Sequence, residues 1–245
     1  MTTIAYQLYC SRNFPPLSDT LAMLAGVGYT AVEGYGGLYE DLDGLKAALD
    51  ANGMTMPSGH YGIDLVEGDP ARAIHIAKTL GTQKVIVPYL QPADRPADKA
   101  GWAAFAQRLA RIGQLIRDAG LVFGWHNHEF ELVDLGGGET PMDLIAQAGV
   151  DIELDLGWVF VAGQDPVTQL RKYGGQVKAV HIKDRAAAGT TVEDGWADVG
   201  HGVIDWAPIK AALDEIGVDH FVIEHDNPAD HTRFAANSLL TVKGW

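Results

Sequence analysis

Gly124-Trp125-His126-Asn127-His128-Glu129-Phe130-Glu131 follows directly on the apolar run Leu121-Val122-Phe123 and crowds two histidines and two carboxylates into six residues. Read as a strand of period two, Val122, Gly124, His126 and His128 share one face. Three later segments repeat the plan of an apolar strand ending in polar chemistry: Ile152-Glu153-Leu154-Asp155, Val177 to Asp184, and Phe221 to Asp226. Polar residues at the C-terminal ends of successive buried strands are where a (β/α)8 barrel carries its active site.

Outward from that stretch, the same alternation covers the chain. Strands are expected at Ile4–Tyr9, Thr30–Tyr35, Met54–His60, Lys84–Tyr89, from Leu121 onward, Ile152–Asp155, Val177–Lys183 and His220–His225. Between them lie helical segments: Ser18–Ala25, Leu42–Ala51, a helix starting at Asp69-Pro70, a long one over Asp98–Ala119, one from Thr140-Pro141 to Gly149, and Pro166–Tyr173, Trp206–Ile216 and Pro228–Val242. In the long helix, Phe105, Leu109, Ile112, Leu115 and Ile116 form an apolar stripe. Eight strand–helix units call for a closed parallel sheet with helices outside, a single TIM barrel over residues 1–245. No Gly/Ser linker divides the chain.

Composition narrows the function. At 245 residues and 47% hydrophobic, the chain can bury one large barrel core. A formal charge of −14 argues against nucleic acid and against an anionic membrane, both of which need a basic face. No apolar run reaches the roughly 20 residues of a membrane span, and the N-terminus lacks a basic region followed by an apolar one. The single cysteine, Cys10, forms no intrachain disulfide and fits a reducing compartment. A cytoplasmic protein with a small-molecule substrate is the expectation.

Tracing the inward faces toward the mouth, four adjacent strands present His126, Asp155, His181 and Glu224 at similar depth. Carboxylates buried together repel, and a divalent cation between them removes that penalty. Mixed imidazole and carboxylate donors suit Mn²⁺, Zn²⁺, Fe²⁺ or Co²⁺ better than Ca²⁺. The competing reading is an ion-free salt-bridge network of Asp155 and Glu224 with Lys183, and either histidine alone could be a hydrogen-bonded core residue.

His126 to Glu131, Asp155-Leu156-Gly157-Trp158, His181-Ile182-Lys183-Asp184, Val199 to Trp206 and Ile223-Glu224-His225-Asp226 together resemble the xylose-isomerase-like superfamily of sugar isomerases and epimerases, in the branch near inosose dehydratases. The likeness spans nearly the whole chain. It implies a metal held by a Glu of strand five and by Asp, His and Glu of strands six to eight. The last three match Asp155, His181 and Glu224. His126 stands where the first Glu is expected, so Glu131, just past the strand, is taken to complete the shell, with His126 facing substrate or metal. The resemblance implies one divalent ion, Mn²⁺ first and Zn²⁺, Co²⁺, Fe²⁺ or Mg²⁺ after it, and a homo-oligomer. His201 departs from the acidic residue usual in the related loop.

The chemistry implied is proton abstraction next to a sugar carbonyl through an enediolate, giving isomerisation or epimerisation. Loss of a β-hydroxyl from the same intermediate gives dehydration of an inosose or keto-sugar. Glu131, His126, Lys183 and Glu224 are the acid–base candidates. Glu33, His60, His128, Trp158 and Tyr89 are the substrate contacts, the aromatics as pocket wall. Lys183 and Arg185 are cations for an anionic substrate group. The rivals are an endonuclease-type phosphodiesterase, disfavoured by the acidic charge, and a non-catalytic sugar-binding barrel.

Overall fold

The computed structural model describes residues 2–245. Eight short strands, β1 (Thr3–Gln7), β2 (Ala31–Gly34), β3 (Thr55–His60), β4 (Lys84–Val87), β5 (Val122–His126), β6 (Asp151–Asp155), β7 (Val177–Ile182) and β8 (His220–Ile223), pair parallel in sequence order. β8 returns to β1 with Ala5 beside Val222, which closes the barrel. Parallel neighbours need crossovers, and the helices supply them on the outside.

Local chemistry fixes the helix ends. Asp69 accepts from the Arg72 amide ahead of Pro70, and Asp98, Asp205 and Asp230 cap later helices in the same manner. Gly81 and Gly217 close their helices at φ +76° and +73°, where a side chain would strain the backbone. The first helix, Leu17–Val27, differs from expectation: Pro16, not Ser18, precedes it, and no side chain caps it. Two helical turns were not legible, Ile63–Gly68 and Leu156–Val161; both are six residues long, too short to show a period. The long helix, Lys99–Asp118, buries Trp102, Phe105, Leu109 and Ile116, while Leu115 is 51% exposed and stands off the stripe.

β1, β2, β4, β7 and β8 end one or two residues sooner than expected, where the residues at their tips turn into the mouth loops. The register then sets the site. Gly124 pairs with Asp151 and His126 with Glu153. Asp155 pairs with His181, which in turn pairs with Val222, two residues short of Glu224. A register shift between β6 and β7, at Ile152/Glu153, brings Glu153 and Asp155 opposite Ala179 and His181.

The long segment after β7 is held by a side chain. Arg185 and Trp196 pair in a short antiparallel ladder of Asp184–Arg185 with Trp196–Ala197. Buried Asp184 accepts from the amides of Gly200 (2.8 Å), Gly202 and Ile204 (both 3.2 Å) and from the Trp206 indole (2.9 Å). Asp184→Ala leaves these donors unpaired at roughly 1–3 kcal/mol each. It should lower the urea midpoint and open residues 186–204 to a protease that spares the wild type. An unchanged midpoint and cleavage pattern would refute this role.

Candidate metal centre

The inward residues of β5 to β8 meet near the barrel mouth. Ligand atoms of His126, Asp155, His181 and Glu224 lie within 4.8 Å of one another, all four residues buried. His181 Nδ1 is 2.9 Å from Glu224 Oε2 and 3.9 Å from Asp155 Oδ2. His126 Nε2 is also 3.9 Å from Asp155 Oδ2. That oxygen is buried with no hydrogen-bond partner, although the other carboxylate oxygen accepts from the Trp158 amide. An orphaned carboxylate oxygen facing two ring nitrogens across gaps too long for hydrogen bonds fits a cation between them. Two nitrogens and two carboxylates are a donor set for Mn²⁺, Fe²⁺, Co²⁺ or Zn²⁺.

The electrostatics agree. Burial pushes the Asp155 carboxyl up to about 8, against the pull of Lys183. Burial, then His181, drives His126 down to about 3, so its ring is neutral and able to ligate. Burial would lower His181 too, but Glu153, Glu224 and Glu33 outweigh it and hold the ring well above its ordinary value. Burial would raise Glu224, yet Lys183 and His181 keep it well below the usual carboxylate range.

Lys183 takes part differently from expectation. Its ammonium is fully buried, 2.7 Å from Asp226 Oδ1 and 3.2 Å from Glu224 Oε2, under the rings of Trp196 (4.3 Å) and Trp158 (4.9 Å). Burial is overcome by Asp226, Glu224 and Asp155, and the ammonium stays charged. The salt-bridge network foreseen as a rival therefore exists at Glu224 and Asp226. It leaves Asp155 Oδ2 unpaired at 3.9 Å.

Glu131 stands apart from the group. Its carboxylate accepts from the Trp125 indole (2.8 Å) and the His128 amide (2.8 Å), behind β5, because Phe130–Leu132 turns back against the outward face of the strand. Burial raises it to about 8. Its geometry suits bracing the His126-Asn127-His128 turn. Asn127 completes that brace by accepting from the Asp155 amide at 2.9 Å.

Above the group opens a cavity of 620 Å³, whose lining includes His60, His126, His128, Tyr89, Trp158 and Glu224. Glu33 and Lys183 do not line it; both are wholly buried below or beside it. Burial, then His126, lowers His128 well below its ordinary value, and its Nδ1 and the Trp158 indole nitrogen have no partner. The cations facing the cavity are Arg12 and Arg95, not Lys183 or Arg185; Arg185 bonds the Asp194 carbonyl and stacks on Trp196. His201 is exposed and outside the lining. Glu153 was missed. Period two places it on the face of Asp155, and that signal was available in the sequence.

A profile of the xylose isomerase-like TIM barrels matches residues 21–241. The chain belongs to the xylose isomerase-like TIM-barrel family. It is 27% identical over 136 residues to an inosose dehydratase of Lacticaseibacillus casei, covering 50% of this chain and 46% of that protein. The chain thus matches about half the length of that curated relative. Among solved structures, a sugar phosphate isomerase/epimerase from Parabacteroides distasonis superposes with a TM-score of 0.82 at 20% identity, over 99% of this chain and 93% of the other. An IOLI protein with a bound zinc atom superposes at 0.79 and 15% identity, over 100% and 97%. At those identities the likeness is one of fold. Among the described residues, no helix is long and apolar enough to cross a membrane.

Proposed function

We propose that the protein is a divalent-metal-dependent isomerase or epimerase of a sugar or keto-sugar that moves a proton on the carbon next to a carbonyl. The supporting observation is that Glu224 belongs both to the four-residue group and to the cavity wall. Its carboxylate is kept ionised and within reach of a bound small molecule, as a proton acceptor must be. An ion held by His126, Asp155, His181 and Glu224 would supply positive charge to stabilise the anion left when the proton departs. His128 and Trp158, which line the cavity, contact the substrate, and Tyr89 walls the sugar face. Lys183 fixes Asp226 and keeps Glu224 charged.

The second reading, dehydration of an inosose or keto-sugar, is favoured by the name of the matched relatives. It uses the same proton abstraction and differs in whether a β-hydroxyl then leaves. One experiment separates the two. Keto-sugars and inososes are incubated with the protein and Mn²⁺ in D₂O. Deuterium on carbon in a product of unchanged composition supports isomerisation or epimerisation, and a product lighter by one water supports dehydration. No deuterium and no product from any of them would remove the proposal.

A further inference from the structure

Below the metal group the barrel is not apolar. Gln7 of β1, Glu33 of β2 and Glu153 of β6 are buried there, His60 of β3 runs from this layer to the cavity, and none of the four belongs to the metal set. A second grouping, His60, His126, Glu153 and His181, has ligand atoms equally close together. Two histidines are common to both groups, so each ring must divide its nitrogens between an upper and a lower set.

For His181 the division is sharp. Nδ1 faces Asp155 and Glu224, while Nε2 is 2.8 Å from Glu33 Oε1 and 3.1 Å from Glu153 Oε2. Carboxylates accept, so in the ion-free ring both nitrogens carry protons, Nε2 toward Glu33 and Nδ1 toward Glu224 at 2.9 Å, and an ion between Asp155 and Glu224 would displace the Nδ1 proton alone. Glu33 is itself held in place. Gln7 Nε2 donates to the same Oε1 at 2.7 Å, and the orientation of that amide is set because Gln7 Oε1 accepts from the Tyr9 amide at 3.0 Å. His60 Nε2 occupies the neighbouring carboxylate, 2.7 Å from Glu153 Oε2. The ring nitrogens of His60, His181 and His126 close on Glu153 Oε2 at 2.7, 3.1 and 3.3 Å, which leaves no room for an ion between them although Glu33 Oε2 and Glu153 Oε1 lack partners, whereas in the upper group Asp155 Oδ2 stands 3.9 Å from both rings. For His126 the downward contact is weaker: Nδ1 is 3.3 Å from Glu153 Oε2 without hydrogen-bond geometry.

We propose that Glu33, fixed by Gln7, is a positioning residue that holds the proton on Nε2 of His181 and so commits the Nδ1 lone pair to the ion. The inference rests on the metal-centre reading above. It identifies the lower group as the orienting layer rather than as a second ion site. The carboxylate partner also sets the ring plane and raises the basicity of the ligating nitrogen, and such partners are typically worth about 10–100-fold in metal affinity.

The test uses the full chain with ¹⁵N-labelled histidine and Zn²⁺. The His181 signals are assigned by their loss in His181→Asn, and Zn²⁺ affinity is measured by competition with a chelator. Metallation of His181 at Nδ1 with the proton retained on Nε2 is expected. Glu33→Leu, with its fold checked by circular dichroism, should bind Zn²⁺ about 10–100-fold more weakly. Glu33→Gln keeps an acceptor and should recover most of that loss. Metallation at Nε2 overturns the inference, as does wild-type affinity in a folded Glu33→Leu protein. If Glu33→Leu fails to fold, the nitrogen assignment in the wild type decides alone. Failure of the wild type to bind Zn²⁺ at all removes the metal centre itself, a different outcome from binding through the wrong nitrogen.

Discussion

Asp155→Asn should reduce turnover by at least about 10²–10³-fold, the scale set by removing one preorganised electrostatic contact to a developing charge. The barrel should stay folded. Glu224→Gln should do the same and remove the proposed proton acceptor as well. The ion-free protein gives a second, independent readout. Burial raises the Asp155 carboxyl from its ordinary 3.8 to about 8, so the native state binds this proton more tightly than the unfolded chain does. The stability contributed by this group is fully present below the ordinary carboxylate range and is lost as pH rises through 8, by up to about 1.4 kcal/mol per pH unit between the two values. With chelator present, Asp155→Asn should therefore melt above wild type at pH 8, with the gap narrowing at pH 6. In the wild type, ion binding should release protons from Asp155 and from His181, whose ring is held well above its ordinary value, so the apparent affinity should climb with pH. Wild-type activity in both Asp155→Asn and Glu224→Gln would end the account of the site.

Lys183→Met is expected to give a large loss of stability. The ammonium is wholly buried among Asp226, Glu224 and Asp155. Removing one partner of a buried charge cluster strands the others, which typically costs about 3–5 kcal/mol. For a chain of this size that corresponds to a fall in Tm of roughly 6–20 °C. Because the damage comes from stranded carboxylates and not from lost packing, the double variant Lys183→Met/Asp226→Leu should recover part of it. A single variant that melts with wild type would mean the cluster is already neutralised by protons. A double variant no better than the single would place the loss in the packing of Lys183 against Trp158 and Trp196.

The two groups of variants also separate what the sequence makes legible from what it hides. The barrel was readable because eight apolar runs alternate with helical segments, most of them marked by a cap or a stop, as at Asp69-Pro70 and Gly81. Asp155, His181 and Glu224 were readable because period two carries each inward residue to the mouth of its strand. Glu131 was harder to place. Whether a residue just past a strand folds inward or back depends on a turn, and here the Trp125 indole and the His128 amide draw it behind β5. The inward phase of Lys183 was correct, but phase alone does not tell a cavity wall from a buried ion pair. That difference is made by Trp158 and Trp196 closing over it from two distant segments. Glu33 and His60, both expected at the rim as substrate contacts, lie at two depths: His60 reaches the cavity while Glu33 stays beneath it.

The central claim is that four side chains from four consecutive strands hold one doubly charged ion. Anomalous diffraction from crystals grown with Zn²⁺ tests it most directly. One peak per chain should lie about 2.0–2.2 Å from ligand atoms of His126, Asp155, His181 and Glu224. A fully active protein whose only peaks lie elsewhere, with Asp155 and His181 bare of any ion, would contradict it.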